Sequence, residues 1–204
     1  LGQKTLLSLI FAAKSSFEEY RKFEAYGYET GGFVKHSISV AILAKKIAQI
    51  LELPESDCES LYIAGLLHDI GKLALVEYVE KIADKLWVSI LTQKKEINEI
   101  ENRYLMLNHL EIGEMIAERC YLSKEQKAAI VYHHNPENSG TFRIFASIVH
   151  CADYLAKLSG FGMKSEFAGF AQLNESASDI LGFSLDDMKK FASNCKNEIE
   201  KSLL

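Results

Sequence analysis

The sequence predicts a nearly all-α protein, a helical bundle, on three observations. Apolar residues recur at helical spacing almost throughout, period-two runs of Val or Thr are scarce, and only Pro54 and Pro136 interrupt the pattern. A chain of 204 residues with 48% apolar content can bury a substantial core. Its length fits one compact domain, so residues 1–204 are read as a single unit, with no internal repeat or low-complexity tract. The chain opens in helical pattern without an initiating Met, and we expect it to be the later part of a longer protein.

In chain order, residues 1–23 carry Leu6, Leu7, Ile10, Phe11 and Phe17 and read as a helix packing on the rest. A Gly/Tyr-rich connection, 26–33, leads into a helix over about 34–51, whose stripe of Val40, Leu43, Ala44, Ile47 and Leu51 also carries His36 inward. Pro54 ends that segment, and Ser56 with Glu59 predicts a capping box opening the helix that runs to His68-Asp69, where Gly71 stops it. The stretches 73–90 and about 96–107 are amphipathic and rich in Lys and Glu, so they are expected to be half exposed and structural. Asn108 with Glu111 predicts a cap for a helix whose buried stripe is His109, Ile112, Gly113, Ile116 and Cys120. Ser123 with Gln126 predicts another, ending in His133-His134 before Asn135-Pro136. A turn over 135–140 precedes a helix over about 142–158 that aligns Phe145, Val149, Asp153 and Ala156. Residues 160–169 read as a loop without a phosphate cradle, and about 170–204 as C-terminal helices, one short and one longer, the second capped by Ser184.

Composition narrows the function classes. A net charge of -5 argues against a nucleic-acid groove, which needs a clustered Lys/Arg face, although a small anion can still meet a local basic spot. The four cysteines, Cys58, Cys120, Cys151 and Cys195, form no CxxC pair, which fits reduced thiols in a cytoplasm. No run of about 18 or more apolar residues and no signal-peptide pattern points to a membrane or export.

The chemistry gathers in a few polar residues set where polar groups are costly to bury. His36, His68, His109, His133 and His134, with Asp69 and Asp153, lie at helix ends or on inward stripes of five predicted helices; the sixth histidine, His150, does not share the face of Asp153. Taken singly, each is explained by a hydrogen bond in the core or by a cap. Together, seven uncompensated groups would cost several kcal/mol, at about 1–3 each, and a shared metal centre removes most of that cost. Five imidazoles and two carboxylates exceed the needs of one tetrahedral zinc and suit two divalent metals, with Asp69 bridging. Nitrogen and oxygen donors without thiolate favour Fe, Mn, Zn or Co.

The order of these motifs resembles the HD superfamily of metal-dependent phosphohydrolases: His36-Ser37, then His68-Asp69-Ile70-Gly71-Lys72, His109, His133-His134 and Ala152-Asp153. The core carrying the pattern spans 34–158. Within that superfamily the phrases Lys35-His36-Ser37, Ala64 to Lys72 and Tyr132-His133-His134-Asn135-Pro136 are most similar to the HDOD branch of bacterial signalling and output domains, and the helix at 1–23 resembles the middle of an HDOD domain. The Gly-Tyr-Pro signature of the related HD-GYP branch is absent after the paired histidines, where the chain has Asn135 to Arg143, which lowers the case for cyclic di-GMP. The ligand positions that many HDOD domains have lost are filled here.

The resemblance implies an HD-domain-like bundle in which His36, His68, His109, His133, His134 and Asp153 are terminal ligands and Asp69 bridges. Two metals so held polarise a phosphoryl oxygen and present a water-derived nucleophile. Lys72 is placed to contact a substrate phosphate, against the alternative of a solvated lysine at a helix end, and Arg143 is a weaker candidate for anion contact. Three readings follow: a phosphohydrolase of a nucleotide or another phosphoester, a signalling module that binds a protein partner or nucleotide and keeps the metal as a staple, and a metal-free pseudoenzyme, against which the filled ligand set argues.

Overall fold

The computed structural model describes residues 23–164, 167 and 172–202; the helix expected over 1–23 lies almost wholly outside them. Ten α-helices are described: α1 Gly32–Ile50, α2 Glu55–Leu67, α3 Lys72–Glu80, α4 Ala83–Gln93, α5 Ile97–Leu105, α6 His109–Arg119, α7 Lys124–Tyr132, α8 Arg143–Leu158, α9 Glu175–Leu181 and α10 Leu185–Ser202. Short 3-10 helices occupy Phe23–Tyr26 and Pro136–Phe142. The only strand-like pairing among the described residues is an isolated bridge between Tyr28 and Met163.

Helix α1 is the central member, packed most extensively on α2 and α8. Its stripe of Val40, Leu43, Ala44 and Ile47 meets Leu61 and Ala64 of α2 and Ile148, Val149 and Leu155 of α8, all buried. A second apolar cluster joins Phe23, Tyr26, Tyr28 and Phe33 to Leu75, Val76, Val79, Leu86, Ile90 and Ile100. A third, smaller one holds Leu67, Ile70, Ala117 and Ile130.

Three expected caps form as read, the one at Ser184 through its hydroxyl, which accepts from the backbone N–H of Asp187 at 3.2 Å. The Asn108 side chain accepts from the backbone N–H groups of Leu110 and Glu111, and the Ser123 hydroxyl accepts from that of Gln126; each box is closed by its Glu111 or Gln126 side chain. The box expected at Ser56 and Glu59 does not form. Pro54 stands at the N-cap, its carbonyl accepting from Asp57 and Cys58, while Ser56 turns to Asp57 and Glu59 pairs with Lys45. The helix opens at Glu55, which puts Ser56 inside its first turn rather than at the N-cap position a capping hydroxyl requires. The stretch 73–90 is broken at Lys81-Ile82 into α3 and α4, and α5 carries an unforeseen capping box of Glu96 and Glu99.

Gly71 does not stop α2 by adopting a left-handed conformation. Its φ is -63°, and a Cβ there would lie 2.0 Å from the carbonyl oxygen of His109. The glycine instead lets the turn after His68-Asp69 touch the backbone that opens α6, which brings two site segments together. Gly160 is the opposite case, with φ +74° and nothing near a Cβ.

Gly71→Ala is therefore expected to lower stability by about 2–3 kcal/mol through overpacking against backbone that cannot yield. Gly160→Ala should cost about 1 kcal/mol through conformation alone. Urea unfolding of both variants beside the parent chain measures the difference; equal losses would refute the close-approach account.

Candidate metal centre

Every residue proposed from the sequence as a ligand arrives in one buried cluster. His36 projects from α1, His68 and Asp69 from the end of α2, His109 from the first turn of α6, His133 and His134 from the end of α7, and Asp153 from α8. His36 Nε2 lies 2.9 Å from Asp153 Oδ1, and His68 Nε2 lies 3.3 Å from Asp69 Oδ2 and 3.6 Å from Asp153 Oδ1. Asp69 Oδ1 is 3.5 Å from His109 Nε2 and 3.8 Å from His133 Nε2. Asp69 therefore reaches imidazoles on both sides of the cluster.

The outer atoms of the cluster are held by neighbours. His68 Nδ1 donates to the carbonyl of Gly65 and His133 Nδ1 to that of Ile130, each at 2.8 Å. Because a carbonyl only accepts, Nδ1 carries a proton, and in the neutral ring Nε2 offers its lone pair to the centre. His109 Nδ1 lies 2.6 Å from Glu101, whose other oxygen accepts from the Tyr26 hydroxyl at 2.7 Å. His134 Nδ1 is 3.3 Å from Glu96. Each aspartate is divided in the same way. Asp69 Oδ2 accepts from Lys72 at 2.6 Å and from the Tyr28 hydroxyl at 3.0 Å, and Asp153 Oδ2 accepts from Lys157 at 2.6 Å.

The inner atoms are left over. Of the ten buried side-chain nitrogen and oxygen atoms without a hydrogen-bond partner among the described residues, eight belong to these seven residues, including Nε2 of all five histidines and Oδ1 of both aspartates. At about 1–3 kcal/mol each, leaving them unmet would consume most of the roughly 5–15 kcal/mol that a domain has. Ligand atoms within 4.8 Å of one another form three sets: His36, His68 and Asp153; His68, Asp69 and His133; His109, His133 and His134. The donor set and its orphaned lone pairs fit divalent cations.

Electrostatics agree with that donor chemistry. Burial drives His36, His133 and His134 below their ordinary range, which keeps them neutral, the state a metal requires. Burial opposes ionisation of Asp69 and Asp153, but Lys72 and Lys157, with the neighbouring histidines, hold both carboxyls well below the usual range. His68 is the exception. Burial again lowers it, yet Asp69 and Asp153 prevail and push it up to about 9.

Lys72 is neither solvated nor open to a ligand: it is buried, fixed to Asp69, and lies beside the rings of Tyr26 and Tyr28. Arg143 bonds the carbonyl of Gly140 on the exposed start of α8. His150 stays outside the cluster, donating to the His133 carbonyl and accepting from the backbone N–H of Asn174. Sequence reasoning missed Tyr28, Glu101 and Lys157. Glu101 follows Ile97 by four residues on a largely exposed helix and is fully buried, so the criterion that found Asp153 applies to it. Lys157 follows Asp153 by four, the spacing of a helical ion pair. Tyr28 lies in a connection with no periodic signal.

A family model described as HDOD domain matches residues 1–136. A ribonuclease Y of Thermus thermophilus is 36% identical over 123 residues, 60% of this chain and 16% of that protein. A ribonuclease Y of Mycoplasma genitalium is 27% identical over 207 residues, covering 100% of this chain and 34% of that protein. The chain thus spans about a third or less of these curated relatives. Among solved structures, an HDOD domain protein of unknown function from Geobacter sulfurreducens aligns with a TM-score of 0.62 at 23% identity, over 85% of this chain and 60% of that one. At that identity the likeness is one of fold.

Glu101→Gln keeps the shape beside His109 and removes the charge. A loss of about 10–100-fold in zinc affinity is expected, read by competition with a chromophoric chelator; unchanged affinity would place Glu101 outside the metal site. Zinc taken up by this cluster would also have to displace the proton that the two carboxylates hold on His68, whose folded value of about 9 leaves it charged at neutrality. Calorimetry near neutral pH in buffers of different ionisation heat should report release of about one proton per chain, fading as pH rises past that value.

Proposed function

We propose that this chain, which belongs to the HDOD domain family, is a signalling-type domain whose HD centre binds two divalent cations and hydrolyses a phosphoester. One observation carries the reading: seven buried or nearly buried histidines and aspartates, contributed by five helices or the turns that end them, bring unpartnered side-chain atoms into three overlapping sets at ligand distance. A domain that used its fold only as a scaffold would have no need to keep such a set filled. The curated relatives are ribonucleases by name, and cleavage of RNA is itself hydrolysis of a phosphodiester. The net charge of -5 favours a small phosphoester or an RNA end over a long duplex.

The residues divide the work by position. His36, His68 and Asp153 would hold one cation and His109, His133 and His134 the other, with Asp69 reaching both groups. When bound, such a pair supplies Lewis-acid polarisation of a phosphoryl oxygen and activation of water. Lys72 and Tyr28 fix the Asp69 carboxylate, and Glu101 orients His109 through its Nδ1–H. Lys72 thus acts as a positioning residue rather than a substrate contact. The buried walls exclude bulk water and so strengthen each electrostatic contact within.

A second reading has its own observation. Met106 and Tyr121, each more than four-fifths exposed, and Met115, more than half exposed, stand on or beside α6. They offer an apolar contact for a signalling partner, in which case the metal staples the fold without turnover.

Elemental mass spectrometry on untagged protein should find about two Fe, Mn, Zn or Co ions per chain. Loaded protein should cleave bis(4-nitrophenyl) phosphate or a short RNA oligonucleotide, and Asp69→Ala should lose both metal and turnover. Metal near zero after reconstitution would overturn the centre. Two metals with no cleavage of either substrate would favour the partner-binding module.

A further inference from the structure

The cluster borders a half-open cleft whose lining includes His134, Asp153 and Lys157 together with Trp87, Phe167, Ile90 and Met163. Its chemistry is divided between a cation beside the imidazoles and an aromatic wall. The Trp87 and Phe167 rings stack with centroids 3.8 Å apart at 24°. Trp87 is pinned by its indole N–H donating to the carbonyl of Ala25 at 2.9 Å. The backbone ties Glu29 to Gly162 and Lys164 to Gly27 fasten residues 162–164 to the connection that precedes α1. The wall is therefore anchored by the fold.

The two buried lysines differ in what they can reach. Lys72 is only 1% exposed and spent on Asp69 and Tyr28, whereas Lys157 lines the cavity and its one hydrogen-bonded partner among the described residues is Asp153. An ammonium has three donors, which leaves Lys157 donors to offer. Glu96, half-exposed and 3.3 Å from His134 Nδ1, lines the same cleft, and Lys95, which also lines it, is paired with Glu99 at 3.1 Å, so Lys157 is the lining cation turned toward the cluster.

We infer that this cavity binds the organic part of the substrate, a monophosphate ester carrying a planar ring, with Lys157 donating to a phosphoryl oxygen and the Trp87–Phe167 pair stacking on the ring. The inference rests on the phosphoester reading above but makes a separate claim about binding. Lys157, rather than Lys72 or Arg143, is the side chain that meets the phosphate. Ring stacking on an aromatic wall is worth about 10-fold in affinity.

Trp87 is the chain's single tryptophan, so its fluorescence reads the wall directly. Adenosine 5′-monophosphate should quench it and bind about 10-fold more tightly than ribose 5-phosphate, which lacks the ring, in calorimetric titration of the same purified chain. Lys157→Met should weaken the monophosphate about 10-fold and leave quenching by adenosine unchanged. Should that variant fail to fold, as judged by its circular dichroism, Phe167→Ala tests the wall instead and should erase the preference for the ring. Equal affinities for the two phosphates, or absence of quenching, would overturn the pocket even if the chain hydrolyses ringless esters. Quenching with the expected preference but no hydrolysis of any phosphoester would overturn the catalytic reading and leave the pocket standing.

Discussion

The division of two aspartates between a buried lysine and an open centre is the constraint on which the rest of the site depends. Asp69 and Asp153 each give one oxygen to a lysine at 2.6 Å and leave the other facing imidazoles. Without Lys72 and Lys157, burial would favour the neutral acids and the centre would lose its anionic donors. With them, both carboxylates stay ionised in a place where an isolated charge is costly. The lysines follow their aspartates by three and four residues, so local helical geometry delivers the partner that burial demands.

Packing then fixes where those charges meet. The clustered histidines and aspartates come from separate segments, and their convergence needs α1 to lie against both α2 and α8 while the turn at Gly71 touches the opening of α6. Small residues make these approaches possible. Gly65 on α2 sits against the backbone of Ala41, where a Cβ would come within 3.0 Å, and that contact brings the His68 end of α2 beside α1. The apolar clusters on either side supply the stabilisation that lets one point in the interior remain polar.

The surrounding hydrogen bonds turn a polar interior into a directed one. Backbone carbonyls or carboxylates take Nδ1 of His68, His109, His133 and His134, and the Nε2 atoms are thereby aimed inward. A group of histidines that only needed to be satisfied in a core would use both nitrogens. This one keeps half its capacity free, and the free half opens toward a cavity that carries a further cation and an aromatic wall.

The helical class, the two side-chain capping boxes at Asn108 and Ser123, and the histidines and aspartates that cluster were all legible in the chain, because helical periodicity and cap chemistry are local and because polar residues on inward stripes stand out against them. The box at Ser56 failed because the helix already opens at Glu55, and the break at Lys81-Ile82 carried no proline or glycine to announce it. Reading 96–107 as half exposed missed Glu101, which is buried by contact with α6 rather than by its own pattern. By itself the sequence determined which residues could bind metal, since donor type and helix position are properties of the chain. Only the tertiary structure decided that they face one another, that Lys72 supports Asp69 while Lys157 faces the cavity, and that Tyr28, Glu101 and Trp87 belong beside them. Those facts depend on distances between segments far apart in sequence, which are set by helix packing and by backbone contacts at glycine.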